Sequence, residues 1–194
     1  MTFVDPLAVM LIGLAMGTLL GAFYFFFSAR GDKEQIKSLT IPAIGVGLFE
    51  ILSGGYMSFS WVMNTTHVYA YNMEFGDPLL LFGIVLVITA IMVYRDMHIG
   101  LMPLLIMLVG IYVLVGAYNI VTDNMESGGN LIAAMGLYIF DGVGAVLTPV
   151  LYIKPTTSTG KTLYYVEWII LGIGTIFALI LGYGAFNSHV GNPP

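Results

Sequence analysis

Long apolar runs alternate with short polar connections along the whole chain. The pattern predicts membrane-spanning helices at 6–28, 40–62, 78–95, 99–120, 130–152 and 163–186. Each is long enough for a tilted helix to cross a hydrocarbon core of about 30 Å. The connection Ala29 to Leu39, containing Gly31-Asp32-Lys33-Glu34, reads as a polar loop, and Lys154 to Lys161 as a flexible turn. The longest connection, Asn64 to Asp77, carries Tyr69, Tyr71 and Phe75, aromatic content suited to folding back on the membrane surface. Trp61 and Trp168 lie near span ends, where an aromatic belt sits. Asn64-Thr65-Thr66 is an N-glycosylation triplet on the same side as that connection.

Composition agrees with the pattern. Charged residues make up 9% of the chain, against about 25% in a soluble domain. Mean hydropathy is +0.93, so a soluble fold would leave much apolar surface in water. The expected class is an all-α integral membrane protein forming one transmembrane domain over 1–194. With no cysteine, disulfides, thiolate metal sites and a cysteine nucleophile are excluded.

The charges are sorted by loop. Arg30, Lys33 and Lys37 fall in the first connection, Arg95 in the third, and Lys154 and Lys161 in the fifth. The second and fourth connections and both ends have no Lys or Arg. Lys- and Arg-rich short loops stay cytoplasmic, so both termini are expected outside a multi-pass protein of the plasma membrane. The N-terminus has no basic n-region, and the first run exceeds a signal-peptide core, so it is expected to be a retained span. Asp5, Glu74, Asp77, Asp123 and Glu126 form an acidic outer rim. That rim gives nucleic acid no basic surface to bind.

The halves resemble each other. Pro6–Gly13 matches Pro103–Gly110, and Gly21-Ala22-Phe23 matches Gly116-Ala117-Tyr118. Gly47-Leu48-Phe49 matches Gly136-Leu137-Tyr138, and Leu81–Ile84 matches Ile170–Ile173. Repeats over about 6–95 and 99–186, with an odd span count each, would be inverted in the bilayer, an arrangement frequent in channels and transporters. Spans 2 and 5 would then meet near the centre.

A carboxyl at mid-membrane costs at least a few kcal/mol and marks a candidate site. Glu50 in span 2 is one, with Ser53 on the same helix face. Asp141 in span 5 is another, and the repeat sets Tyr138 opposite Glu50 to within one residue. Two readings stand. These residues line a path as a protonatable stripe, or each carboxyl hydrogen-bonds a neighbouring helix as packing glue. Glu167 reads as an interfacial carboxylate near the start of span 6. Gly13, Gly17 and Gly21 form a double GxxxG ridge, and Gly54, Gly55, Gly142 and Gly144 suit close helix contact. His67, His98 and His189 all lie outside the spans, which leaves no bis-His haem pair and no metal-ligand spacing. No cofactor, no metal and no enzymatic activity are expected.

Asp5-Pro6-Leu7 opening span 1, the Gly-rich second span, and Phe75-Gly76-Asp77-Pro78 before Leu79–Gly83 resemble a prokaryotic, mainly archaeal, six-span family classed as a domain of unknown function. The resemblance covers most of the chain and implies fold and membrane location. Chain length, span number, a Pro-Leu start and Gly-rich spans 2 and 5 are also similar to the acetate uptake transporter family. That similarity implies hexamers with an anion pathway in each subunit. The present chain has Val4-Asp5-Pro6-Leu7 where that family has Asn-Pro-Ala-Pro. The expected function is a small-solute channel or transporter with its path between spans 2 and 5, working as a homo-oligomer in the lipid bilayer. The alternative is a non-catalytic accessory subunit of a larger respiratory or oxidase-type membrane complex.

Overall fold

A computed structural model describes residues 7–60 and 70–191, with side chains to residue 187. Asp5, Pro6, Trp61, the Asn64 triplet, His67, Tyr69 and the His189 side chain lie outside the described residues. The helices are α1 (Leu7–Arg30), α2 (Lys33–Ser38), α3 (Thr40–Ser60), α4 (Ala70–Tyr94), α5 (Met102–Thr122), α6 (Gly128–Leu147) and α7 (Ser158–Gly191). A 3₁₀ segment, Thr148–Tyr152, extends α6. Six helices are long and apolar enough to cross a membrane, and no strand occurs among the described residues. The fold is all-α, with spans 1 to 6 corresponding to α1, α3, α4, α5, α6 and α7.

Three boundaries differ from the sequence expectation. The first connection is not all loop, because Asp32 accepts the Gln35 N–H at 3.1 Å and caps the short α2. Span 3 starts at Ala70, and Pro78 lies inside the helix instead of opening it. Proline lacks the N–H that would bond the carbonyl four residues back, here that of Glu74. The Tyr138 hydroxyl donates to that carbonyl at 2.5 Å, so the helix passes through the proline with its freed acceptor satisfied. Span 6 begins at Ser158, inside the expected flexible turn, where Thr157 Oγ1 accepts the Gly160 N–H at 3.0 Å.

The membrane-length helices form a closed ring. In order round it, α1 packs on α3, α3 on α4, α4 on α5, α5 on α6, α6 on α7, and α7 back on α1. Neighbours run antiparallel. Thr18 meets Thr175 while Gly182 meets Leu11, and Gly47 meets Gly83 while Gly54 meets Gly76. Spans 2 and 5 are therefore not central neighbours as expected. The longest interfaces of α3 and α6 go to α4 and α5, and no packed interface joins α3 to α6. Sequence repeats constrain neighbour order within each half but not which helices meet across the centre.

Side-chain bonds tie the three basic loops to one end. Lys37 pairs with Asp96 at 2.6 Å, and the Tyr152 hydroxyl donates to the Gly100 carbonyl at 3.0 Å. At the acidic end the Tyr71 hydroxyl donates to Met125 O and to Glu126 Oε1. Burial lifts the Glu126 carboxyl above its ordinary range, against hydrogen bonds from Tyr71 and Asn130 that lower it. Met10, Leu11, Met57, Phe75, Leu79 and Leu137 pack the core on the acidic side, and Phe25, Ala29, Tyr164 and Leu171 pack a second cluster toward the basic end.

Candidate functional site in the helix ring

A cavity of about 200 Å³ lies inside the ring, with α1, α4, α5 and α6 supplying most of its wall. Along α4 it is lined from Phe75 to Val93. The eighteen residue-to-residue steps from Phe75 to Val93, at about 1.5 Å each, cover about 27 Å, close to the hydrocarbon thickness. Leu14, Val85, Val109 and Val113 are typical of its lining. At the basic end Ile36, Thr40, Thr148 and Leu151 border it. At the acidic end three aromatic rings stand in series. Tyr71 stacks on Phe75 at 5.6 Å, and Phe75 meets Tyr138 edge-on at 5.7 Å. Burial of apolar surface holds this plug, and the hydrogen bonds of both tyrosine hydroxyls fix its ends.

Asp141 is the one carboxyl residue on the described wall. Its two oxygens are buried without a hydrogen-bond partner among the described groups. They rest on the backbone of α7, where a Cβ at Gly174 would overlap Oδ1. Of the described wall hydroxyls, that of Thr89 is likewise buried without a partner, and the others are occupied. Tyr138 bonds Glu74 O, Tyr24 bonds Ser28, and Thr148 donates to Pro103 O at 2.8 Å. Thr18 and Thr175 bond each other at 2.9 Å across α1 and α7. Such an interhelical bond in a bilayer is worth about 0.6 kcal/mol.

Glu50 is fully buried at the midpoint of α3, but it is not on the cavity wall. Its carboxyl sits on α1 where a Cβ at Gly13 would collide with Oε1, and both oxygens lack a partner among the described groups. Glu50 and Asp141 thus occupy separate helix seams and do not face one another. Ser53 bonds its own helix at Phe49 O, 2.8 Å away. Tyr138 faces α4 and α5, not Glu50.

Glu167 departs from its expected interfacial place. It is 1% exposed, because α7 starts at Ser158 and carries this residue more than two turns inside the helix. Its Oε1 lies beside Gly144. A hydrophilic residue between Tyr164 and Leu171 on the inward stripe was the available signal. Glu74 repeats the pattern nearer the acidic end, its Oε1 against Gly116. Each of these carboxyls is seated where a neighbouring helix has a glycine.

The glycine ridge of α1 meets three partners rather than one. Gly13 abuts Glu50 and Phe49, Gly17 the Phe82 ring, and Gly21 Leu171. Gly54 is closed in by the α4 backbone, whereas Gly55 has nothing nearer than 3.7 Å. Gly142 faces Leu114, and Gly144 faces Leu171. No group of three His, Asp or Glu side chains converges for a metal among the described residues.

A family model for proteins of unknown function, DUF981, matches residues 1–192. The chain belongs to the DUF981 family. No curated protein and no solved structure matches it. The DUF981 match covers the whole helix ring, so the ring and its cavity fall within the family's shared sequence.

Proposed function

We propose that this DUF981 protein is a plasma-membrane carrier or channel for a small solute, with its path along the central cavity of the ring. The earlier expectation of a path between spans 2 and 5 gives way to this one, because α3 and α6 do not pack together. One observation carries the reading. A cavity lined along about 27 Å of helix runs inside a closed ring and ends, on the acidic side, at the core cluster that holds the Phe75 and Tyr138 rings. A packing scaffold would fill that space, since interiors close to native density. A carboxylate anion fits poorly beside Asp141 and the acidic mouth, so the acetate-type similarity does not set the cargo.

The end bearing Arg30, Lys37, Arg95, Lys154 and Lys161 is assigned to the cytoplasm by the basic-loop rule, which puts both termini outside. The shared neighbour order α1–α3–α4 and α5–α6–α7 supports the inverted-repeat relation.

Flux into liposomes tests the function. Wild-type protein is expected to carry at least one of a panel of small uncharged and cationic solutes, and Val109→Trp, which fills the cavity, to slow that flux at least tenfold. Flux of no solute in the panel would transfer the assignment to an accessory subunit of a larger membrane complex, and co-purification of foreign subunits from native membranes would identify that complex.

A further inference from the structure

We propose that the cavity selects a small lipophilic cation, an arylalkyl or alkyl ammonium, and that Asp141 is its counter-ion. The proposal rests on the carrier reading and names its substrate class. Three features carry it. The wall is apolar and includes the aromatic residues Phe75, Phe82 and Tyr138, and aromatic rings attract a cation whose charge is dispersed over carbon. Asp141 is the one carboxyl residue on the described wall, and its oxygens and the neutral Thr89 hydroxyl are the buried wall atoms without a partner among the described groups. The acidic end carries Glu74, Asp77, Asp123 and Glu126, with Glu74 close enough to Asp77 and Asp123 to feel their charges. No described Lys or Arg borders the cavity.

An unpaired buried carboxyl is costly, and a ligand cation relieves that cost more fully than a neutral donor does. The carboxyl lies against Gly174 of α7, which has no side chain to hold it. Cation binding requires the carboxyl to turn about its Cα–Cβ bond, from that seat toward the cavity its residue lines. A cavity of about 200 Å³ suits one aromatic ring with a short ammonium arm, since about 150 Å³ accommodates benzene. Proton and cation compete for the same carboxyl oxygens, so cation affinity falls as pH is lowered. The groups around Asp141 leave it as the titrating partner. The polar wall residues besides Asp141 are Thr18 and Tyr24 of α1, Thr40 of α3, Thr89 of α4, Tyr138 of α6 and Thr148; Glu167, two turns from Gly174 on α7, sits beside Gly144, and α4 and α5 add no carboxyl to the described wall.

The test is equilibrium binding to the full chain in lipid nanodiscs. The probes are benzyltrimethylammonium, whose charge is fixed, and neopentylbenzene, its uncharged isostere. Wild type is expected to bind the cation at least tenfold more tightly, with the preference shrinking at low pH. Asp141→Asn should abolish the preference while still binding the neutral probe, which certifies its fold. Asp141→Glu should keep the preference, and Glu50→Gln, away from the cavity, should leave it unchanged. If Asp141→Asn does not fold, the wild-type pH series and Asp141→Glu decide. Equal affinity for both probes in wild type, or an undiminished preference in Asp141→Asn, overturns the proposal. Cation binding without any flux would sink the carrier reading and leave the cation site standing, whereas flux of neutral solutes with no cation preference would do the reverse.

Discussion

At the scale of single residues, the polar groups of this molecule are arranged around defects in the helices. Pro78 withdraws an N–H from α4, Glu74 O loses its partner, and Tyr138 supplies a hydroxyl from α6. Tyr138→Phe leaves a buried carbonyl unsatisfied, which costs about 1–3 kcal/mol. Its unfolding midpoint in detergent should drop accordingly, while Tyr112→Phe, which loses only an exposed bond to Asp77, should stay within about 0.5 kcal/mol of wild type. An unchanged midpoint for Tyr138→Phe would mean that the proline's carbonyl finds another donor. Glu50 and Asp141 were legible in the sequence because a carboxyl in an apolar run is conspicuous. Their seats were not. That Gly13 receives Glu50 and Gly174 receives Asp141 depends on which helices become neighbours, and residue type alone does not encode that.

At the scale of elements, hydrophobic runs gave the number of spans, and punctuation residues misplaced some of their ends. Pro78 reads as a helix start because proline favours the first turn, yet the helix begins eight residues earlier at Ala70. The KPTTSTGK turn reads as a loop by composition, but its threonine caps α7 and draws Glu167 into the interior. The tight α3–α4 seam shows how one glycine of a pair matters and its neighbour does not. A Cβ at Gly54 would come within 2.5 Å of Leu80 N and 2.9 Å of Gly76 O, backbone atoms that cannot rotate away. Gly54→Ala is therefore expected to destabilise by about 1–3 kcal/mol, outweighing the helix-propensity gain of about 1 kcal/mol. Gly55→Ala, whose Cβ would make only ordinary contacts at 3.7 Å or more, should be neutral or mildly stabilising in the same melting assay. Equal melting of the two variants would refute the backbone-to-backbone packing of this seam.

At the scale of the whole molecule, the ring explains why the class and the grouping of the basic loops were readable and the central space was not. Sorted basic loops converge on one end through Lys37–Asp96 and Tyr152–Gly100, as loop charge alone implied. The central space arises from the closure of α7 on α1, a contact between the two ends of the sequence that no periodicity announces. The claim that this space is a pathway is tested most directly by cysteine accessibility, since the chain has no cysteine of its own. Val109→Cys lies on the cavity wall, and Leu108→Cys, at a position 58% exposed on the outside of the ring, faces lipid. A water-soluble cationic thiol reagent added to proteoliposomes should modify Val109→Cys at least tenfold faster than Leu108→Cys. Equal inertness of the two cysteines, with reagent supplied on both sides of the membrane, would contradict a solute path through the ring.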